Sequence, residues 1–353
     1  MPAFLTDAVL EGILQRIPSL RIGVIGDLFL DRYLDIAAEL TEPSLETGHD
    51  AYQVVQVRSV PGAAGTVVNN LVALGVGGVI PVAVIGDDGE GYELVQALDR
   101  LGRVDRTAVI QTPQRRTPTY TKPMLLERGA VPRELNRLDI KNRQVLPKAL
   151  ESAILERLDQ VWEHVNSLVV LDQVSEEDCG VVTDAVRRRL GEKALADRSK
   201  FVLADSRERI GLFRTVCVKP NLRECRRAVA AVEAADPGTV ARELAQRTGR
   251  SVFCTAGEKG IFVAAEAGAT LAMQVPAYPV AGPIDVVGAG DSTSAAIVCA
   301  AAGGADATEA AAFGNLVASI TIQQLGTTGT ASPDMVRLRW KEVRHPQLPP
   351  WGR

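Results

Sequence analysis

Aromatic residues make up only 4% of this 353-residue chain, and histidine is scarcer still, with His49, His164 and His345 far apart. So few and so scattered imidazoles form neither a histidine-based metal cage nor a Ser-His-Asp triad. The five cysteines (Cys179, Cys217, Cys225, Cys254 and Cys299) are odd in number and lack Cys-x-x-Cys spacing. They read as reduced thiols of a cytoplasmic protein, which excludes a disulfide framework. Net charge is −4 with no basic block, so no nucleic-acid surface is expected. No apolar run is long enough to span a membrane, and the stretch from Met1 to Ile17 carries Asp7 and Glu11, unlike a signal peptide. No Gly-x-Gly-x-x-Gly follows the first strand, and no Gly-x-x-x-x-Gly-Lys-Ser/Thr occurs. These absences count against a nicotinamide oxidoreductase and a P-loop kinase.

What remains is a globular composition, 46% hydrophobic and 23% charged. Apolar strand-like runs alternate with helical stretches. Arg21 to Gly26, Gly77 to Ile85, Ser167 to Asp172, Phe201 to Asp205, Val216 to Asn221 and Ser251 to Thr255 read as strands. Thr66 to Leu74, Tyr92 to Leu101, Leu150 to Val165, Glu176 to Leu190 and Thr239 to Thr248 read as helices. Such alternation predicts parallel βαβ units in an α/β doubly wound, mostly parallel sheet flanked by helices. Polar residues close several strands (Asp27, Asp172, Asp205, Asn221, Thr255), which predicts one active rim. No linker, repeat or composition break divides residues 1–353, so a single domain is expected.

The most informative stretch is Asp285-Val286-Val287-Gly288-Ala289-Gly290-Asp291, followed by small and apolar residues from Ser292 to Ala302. A glycine-rich turn feeding a helix presents unpaired N–H groups and the positive dipole end to an anion. A carboxylate inside an anion site suits a phosphotransferase, where a base must take a proton beside the phosphoryl group. Asp291 as an ordinary N-cap is the plain alternative.

Asp27 and Asp31 follow the first strand and suit sugar hydroxyls, or else close the strand with an Asx-turn and a solvated charge. Pro61-Gly62-Ala63-Ala64-Gly65 opens a second helix and offers backbone to a sugar oxygen, or simply allows close packing. Gln53 to Arg58 and Thr117 to Lys122 are β-prone. Lys122, Arg128, Arg133 and Arg137 could meet an anionic substrate group or form a solvated face.

Taken together, these stretches resemble the PfkB (ribokinase-like) carbohydrate kinases over nearly the whole chain. In that family the last Asp of Asp-x-x-Gly-Ala-Gly-Asp is the catalytic base, which implies Asp291, with Gly288, Ala289 and Gly290 as the anion hole. The family's Asn-x-x-Glu, which organises Mg²⁺ and phosphate through water, is similar to Asn221-Leu222-Arg223-Glu224. The resemblance also implies Thr255, Gly257, Gly260, Asp285 and Asn315 on the nucleotide side, and Asp27, Asp31 and Gly62 on the acceptor side, where Thr66 and Asn70 stand in for the family's Asn and the charge pattern adds Lys122 and Arg128 as candidates. It implies ATP and Mg²⁺ as cofactors, and leaves a monovalent cation open. A small β-sheet lid from about residues 35–58 and 113–140, pairing two subunits into a homodimer, is the family's arrangement.

Within the family the resemblance is to the heptose-7-phosphate kinase branch, through Gly26 to Tyr33, Thr117 to Lys122, Arg137 to Asp139 and Leu325 to Thr327. Some members of that branch carry a fused nucleotidyltransferase; the chain ends about where the kinase would, so that activity is not expected. Departures fall on the acceptor side. The family's Gly-Gly is Gly62-Ala63, its sugar-binding Asn is Thr66 with Asn70 a turn later, and Asp172 to Glu177 replaces Asp-Tyr-x-x-Lys-Gly. A sugar or sugar phosphate is the expected substrate. A nucleoside kinase of the same fold and a non-catalytic sugar or nucleotide sensor are the alternatives.

Overall fold

The computed structural model describes residues 4–266 and 271–344. Nine strands form the main sheet: β1 (Arg21–Gly26), β6 (Gly78–Gly86), β7 (Val109–Thr112), β11 (Ser167–Asp172), β12 (Phe201–Ser206), β13 (Cys217–Val218), β14 (Val252–Thr255), β15 (Ile261–Ala264) and β16 (Met273–Val275). Their order is β16-β15-β14-β13-β12-β11-β1-β6-β7, parallel from β7 to β14 and antiparallel at β15 and β16. From β1 the chain builds first toward β6 and β7, then toward β11 to β14. The gap between β1 and β11 is therefore the topological switch point, outside whose strand ends ligands collect.

Two cores cover the two faces of the sheet. One is closed by α1 (Asp7–Arg16), α2 (Ala64–Ala73), α3 (Gly89–Leu101), α8 (Ala289–Ala302), α9 (Ala307–Thr321) and α10 (Pro333–Arg344). The other is closed by α4 (Lys148–Trp162), α5 (Asp184–Ala196), α6 (Leu222–Val229) and α7 (Pro237–Thr248). Along β11 the side chains divide by parity, Val169 and Leu171 entering the first core and Leu168 and Val170 the second. A strand buried on both sides has no polar face to spare, which is why these runs are continuously apolar. All five cysteines are buried and free. Among the described residues no helix is long and apolar enough to cross a membrane.

A second sheet stands over the strand ends. It comprises β2 (Leu28–Ala37), β5 (Val54–Ala63), β8 (Thr119–Leu126), β9 (Arg133–Glu134) and β10 (Leu138–Ile140), ordered β10-β8-β2-β5 with β9 on β8. The pair β3 (Glu42–Pro43) and β4 (Asp50–Ala51) lies in the connection between β2 and β5. Arg32 on β2 reaches α3, bonding Glu93 through Nε at 3.0 Å and approaching Glu90 at 3.6 Å. Ser59 Oγ donates to the same Glu93 at 2.6 Å, so two strands of the small sheet are tied to one helix.

Two expectations from the sequence are corrected. Glu176 to Leu190 is not a continuous helix: α5 begins at Asp184, with Thr183 Oγ1 accepting from the Val186 amide at 3.3 Å. The preceding segment spends its amides elsewhere, Val181 N–H donating to Asp27 Oδ1 at 2.7 Å. The helix expected near Ser292 begins at Ala289 with Gly288 as N-cap, so Asp291 lies within the first turn and is not the cap.

Ala63 adopts φ 51°, ψ −117°, which an L side chain rarely tolerates. Strain of this kind costs on the order of 1–3 kcal/mol. Ala63→Gly should therefore raise thermal stability by about 1 kcal/mol after the entropy of glycine is subtracted. A melting temperature equal to or below wild type would mean that the turn is not strained.

Candidate active site

The cleft lies between the small sheet and the ends of β1, β11, β12, β13 and β14. Its floor is the turn into α8. Gly288 sits at φ 78°, and a Cβ there would lie 3.2 Å from Thr328 Cγ2, so glycine is favoured on both backbone and steric grounds. Asp285 braces the turn, its carboxylate accepting from Val287 N at 3.0 Å and Gly326 N at 3.1 Å. No side chain caps α8, but the Ala289 amide donates to Val286 O at 3.1 Å, so of the expected anion hole Ala289 is already committed and the Gly290 and Asp291 amides are the ones left for an anion.

Around Asp291 the structure gathers four residues from three strands and their ends. Asp31 (β2), Asp205 (β12), Lys219 (just after β13) and Arg207 (just after β12) all act on its charge. Burial pushes Asp291 up to about 7, Asp205 adds to the rise, and Lys219 and Arg207 oppose it. Lys219 is 3% exposed and pairs with Asp205 at 2.8 Å, while Ser294 Oγ on α8 donates to the same carboxylate at 3.1 Å. The ammonium also lies 3.7 Å from where a Cβ on Gly290 would stand, beside the glycine turn. Burial works against its charge, but Asp205, with Asp291 and Glu224 in support, holds its pKa above the usual lysine value. Asp205 was among the polar residues expected at the active rim, whereas Lys219 and Arg207 did not stand out in the sequence. The one available signal was a lysine directly after the buried run Val216-Cys217-Val218.

Asn221 and Glu224 form a capping box on α6. Asn221 Oδ1 accepts from Glu224 N at 2.9 Å, and Glu224 Oε2 accepts from Asn221 N at 2.8 Å. Burial raises the Glu224 pKa, the bond from Asn221 works against the rise, and Asp205 adds to it. Thr255 N donates to Pro220 O at 2.9 Å, bringing the loop with Gly257 (φ 56°) and Gly260 (φ 83°) beside that box. Asn315 staples α9 to the end of β16 and the residue after it, donating to Val275 O and Pro276 O at 3.0 Å each.

On the acceptor side, Asp31 is 8% exposed and bonds Lys122 Nζ at 3.1 Å. Lys122 also bonds Tyr33 Oη at 3.2 Å and lies 4.7 Å from that ring's centroid. Gly62 leaves room for this carboxylate, since a Cβ there would come within 2.8 Å of Asp31 Oδ1. Asp27, 5% exposed, accepts from Val181 N while Oδ2 has no partner. Burial, with Asp172 adding to it, pushes Asp27 up to about 7 against the Val181 bond. Asp27, Phe29, Arg115, Tyr120, Lys141 and Arg207 line a pocket between this carboxylate and the small sheet. Thr66 and Asn70 are buried in α2, where Asn70 Nδ2 donates to Thr66 O at 2.9 Å.

Arg128 is not brought to this cluster. Asp31 pairs with Tyr120 and Ala37 with Leu126, so the strands carry Leu126 six residues along β8 from the Asp31 level, roughly 20 Å at the usual strand rise. Arg128 follows in the turn beyond it. Closeness in sequence to Lys122 was misleading because a strand carries its residues steadily away from the site.

A doubly wound sheet with its glycine turn and carboxylate beneath a small second sheet is the ribokinase-like architecture of sugar kinases. The chain belongs to the pfkB family of carbohydrate kinases, whose model matches residues 28–335. It is 30% identical over 333 residues to the bifunctional protein HldE of Trichlorobacter lovleyi, covering 93% of this chain and 64% of that protein. It is 31% identical over 338 residues to the HldE of Geotalea uraniireducens, covering 92% and 64%. The chain thus spans less than two thirds of the length of these curated relatives. Among solved structures, phosphofructokinase-2 from Escherichia coli in complex with potassium superposes with a TM-score of 0.66 at 19% identity, covering 92% of this chain and 99% of that one. Ribokinase of Arabidopsis thaliana complexed with ribose and ATP gives 0.65 at 17% identity, again covering 92% and 99%.

Proposed function

We propose that this carbohydrate kinase transfers the γ-phosphoryl group of ATP to a hydroxyl of a sugar phosphate, with Asp291 as general base. Heptose 7-phosphate is the acceptor favoured by the resemblance to its branch. The observation that carries the reading is the position of Asp291 in the first turn of α8, among Asp31, Asp205, Lys219 and Arg207. The acceptor oxygen attacks phosphorus, its proton passes to Asp291, the new O–P bond forms, and the bond from phosphorus to the β,γ-bridging oxygen breaks to release ADP. The amides of Gly288, Gly290 and Asp291 and the ammonium of Lys219 meet the charge that develops on the transferred group, the Ala289 amide being spent on Val286 O. Asp31, Lys122 and the backbone at Gly62 hold the sugar, with Asp27 deeper in the pocket.

The nucleotide lies toward Asn221, Glu224 and the loop from Thr255 to Gly260. Among the described residues no three His, Cys, Asp or Glu side chains converge to chelate a metal. Glu224 spends only Oε2 on the capping box, so Oε1 remains for a water-held Mg²⁺ on the phosphate side of the cleft, while Asp205 is balanced by Lys219. When bound, Mg²⁺ would offset the charge of the triphosphate.

The small sheet acts as a lid that excludes water, and it also supplies a dimer contact. Its edge strand β5 exposes Val54, Val55 and Val57, an unusual apolar display on an unpaired edge. Val57→Lys should turn a homodimer into a monomer in sedimentation velocity; a wild-type chain that is already monomeric removes the dimer. The acceptor is tested by ADP release across a panel of heptose 7-phosphate, fructose 6-phosphate, ribose and adenosine. Turnover confined to adenosine would replace the sugar-phosphate reading with a nucleoside kinase.

A further inference from the structure

The loop after β12 holds one arginine on a rigid base and leaves its charge free. Asp205 is fixed by Lys219 and Ser294. Ser206, fully buried, donates to Asp172 at 2.6 Å. The Arg207 amide donates to Asp172 O at 3.3 Å, and its carbonyl accepts from Arg227. Arg209 clamps Asp172 with Nη2 at 2.7 Å and Nε at 3.2 Å. Every neighbour of Arg207 is thus committed. Its own guanidinium is exposed and makes no hydrogen bond or ion pair among the described residues, although Asp291 lies within its electrostatic reach and it lines the Asp27 pocket. A surface arginine with acids nearby ordinarily pairs with one of them. Here the free donor fork belongs to a residue that lines the Asp27 pocket and also acts on the charge of Asp291, the two sides between which a phosphoryl group would pass.

We propose that Arg207 contacts the oxygens of the phosphoryl group in transit, completing from the acceptor side the cradle that Lys219 and the glycine turn form from below. A guanidinium offers two parallel donors to a planar phosphoryl group, which an ammonium cannot match. The inference rests on the reading of the glycine turn and Asp291 as the site of transfer.

Arg207→Gln should lower kcat by about 10³-fold, the low end of the range for an arginine that stabilises phosphoryl transfer. KM for ATP and for heptose 7-phosphate should stay within about threefold, and Arg207→Lys should fall between the two. The charged groups facing Asp291 are Asp31, Asp205, Lys219 and Arg207. Losing Arg207 should therefore move the acid limb of the rate profile to higher pH, a change that a purely structural role would not produce. Binding of ADP, Mg²⁺ and aluminium fluoride, a mimic of the phosphoryl group in flight that needs no acceptor, should weaken at least about tenfold, with ADP alone unaffected. An unchanged melting temperature establishes that the variant folds, and Arg207→Lys serves if it does not.

The proposal is overturned by a glutamine variant with kcat within twofold of wild type, by a raised acceptor KM at unchanged kcat, or by undiminished aluminium fluoride binding. Loss of the underlying reading looks different. Asp291→Asn, assayed beside these variants, would then retain turnover whatever Arg207 does.

Discussion

Asp291→Asn should reduce kcat by at least about a hundredfold while leaving ATP binding nearly unchanged, because general-base assistance is typically worth ~10²–10⁴ in rate. The substitution keeps shape and hydrogen-bonding capacity and removes only the ability to take a proton. Wild-type activity should carry the imprint of the same group. Burial and the neighbouring Asp205 push this carboxyl up to about 7, so its basic form is the minority species in acid. The sign follows directly: kcat/KM should fall about tenfold per pH unit below pH 7 and level off above it. In the asparagine variant that limb should vanish from the residual rate. Steady-state ADP release between pH 5 and 9 measures both effects. Near wild-type turnover, or a limb surviving in the variant, would move the base elsewhere in the cleft.

Lys219→Met should be costly in two separable ways. Its ammonium is the charge partner of Asp205, which is 9% exposed, and removing one member of a buried pair typically destabilises by about 3–5 kcal/mol. The same ammonium ends beside Gly290, where the transferred group would sit, and losing one such donor typically lowers kcat by about 10²–10³-fold. Adding Asp205→Asn should recover much of the stability, since no unpaired charge then remains buried, without recovering the rate. Chemical denaturation and ADP release together separate the two effects. A double variant that regains turnover as well as stability would make Lys219 a purely structural residue.

Much of the architecture was legible because it is written locally. Apolar runs ending in a polar residue marked β1, β11, β12 and β14, and their alternation with helices implied the parallel order. Asp291 was visible as an acid in a glycine turn ahead of a helix, although its place inside that helix's first turn was not. The segment from Glu176 to Thr183, expected as the start of a helix running to Leu190, misled for a physical reason. The amide of Val181 is drawn to Asp27, which lies 154 residues earlier in the chain, and Gly180 with the β-branched Val181, Val182 and Thr183 offers little local propensity to resist it. Sheet register decided the acceptor side in the same way, keeping Lys122 against Asp31 and taking Arg128 to the far end of β8.

By itself, the sequence determined the strands and helices, the glycine turn and the acid within it, since backbone propensity and hydrophobic period act over a few residues. Only the tertiary structure decided which charges surround that acid. Lys219 stands by Asp205 because β13 lies beside β12, Ser294 reaches the same carboxylate from α8, and Arg207 is left unpaired by a loop whose other members are all occupied. Partnerships of this kind depend on strand order and on which buried groups are already satisfied, and neither is set until the sheet has closed.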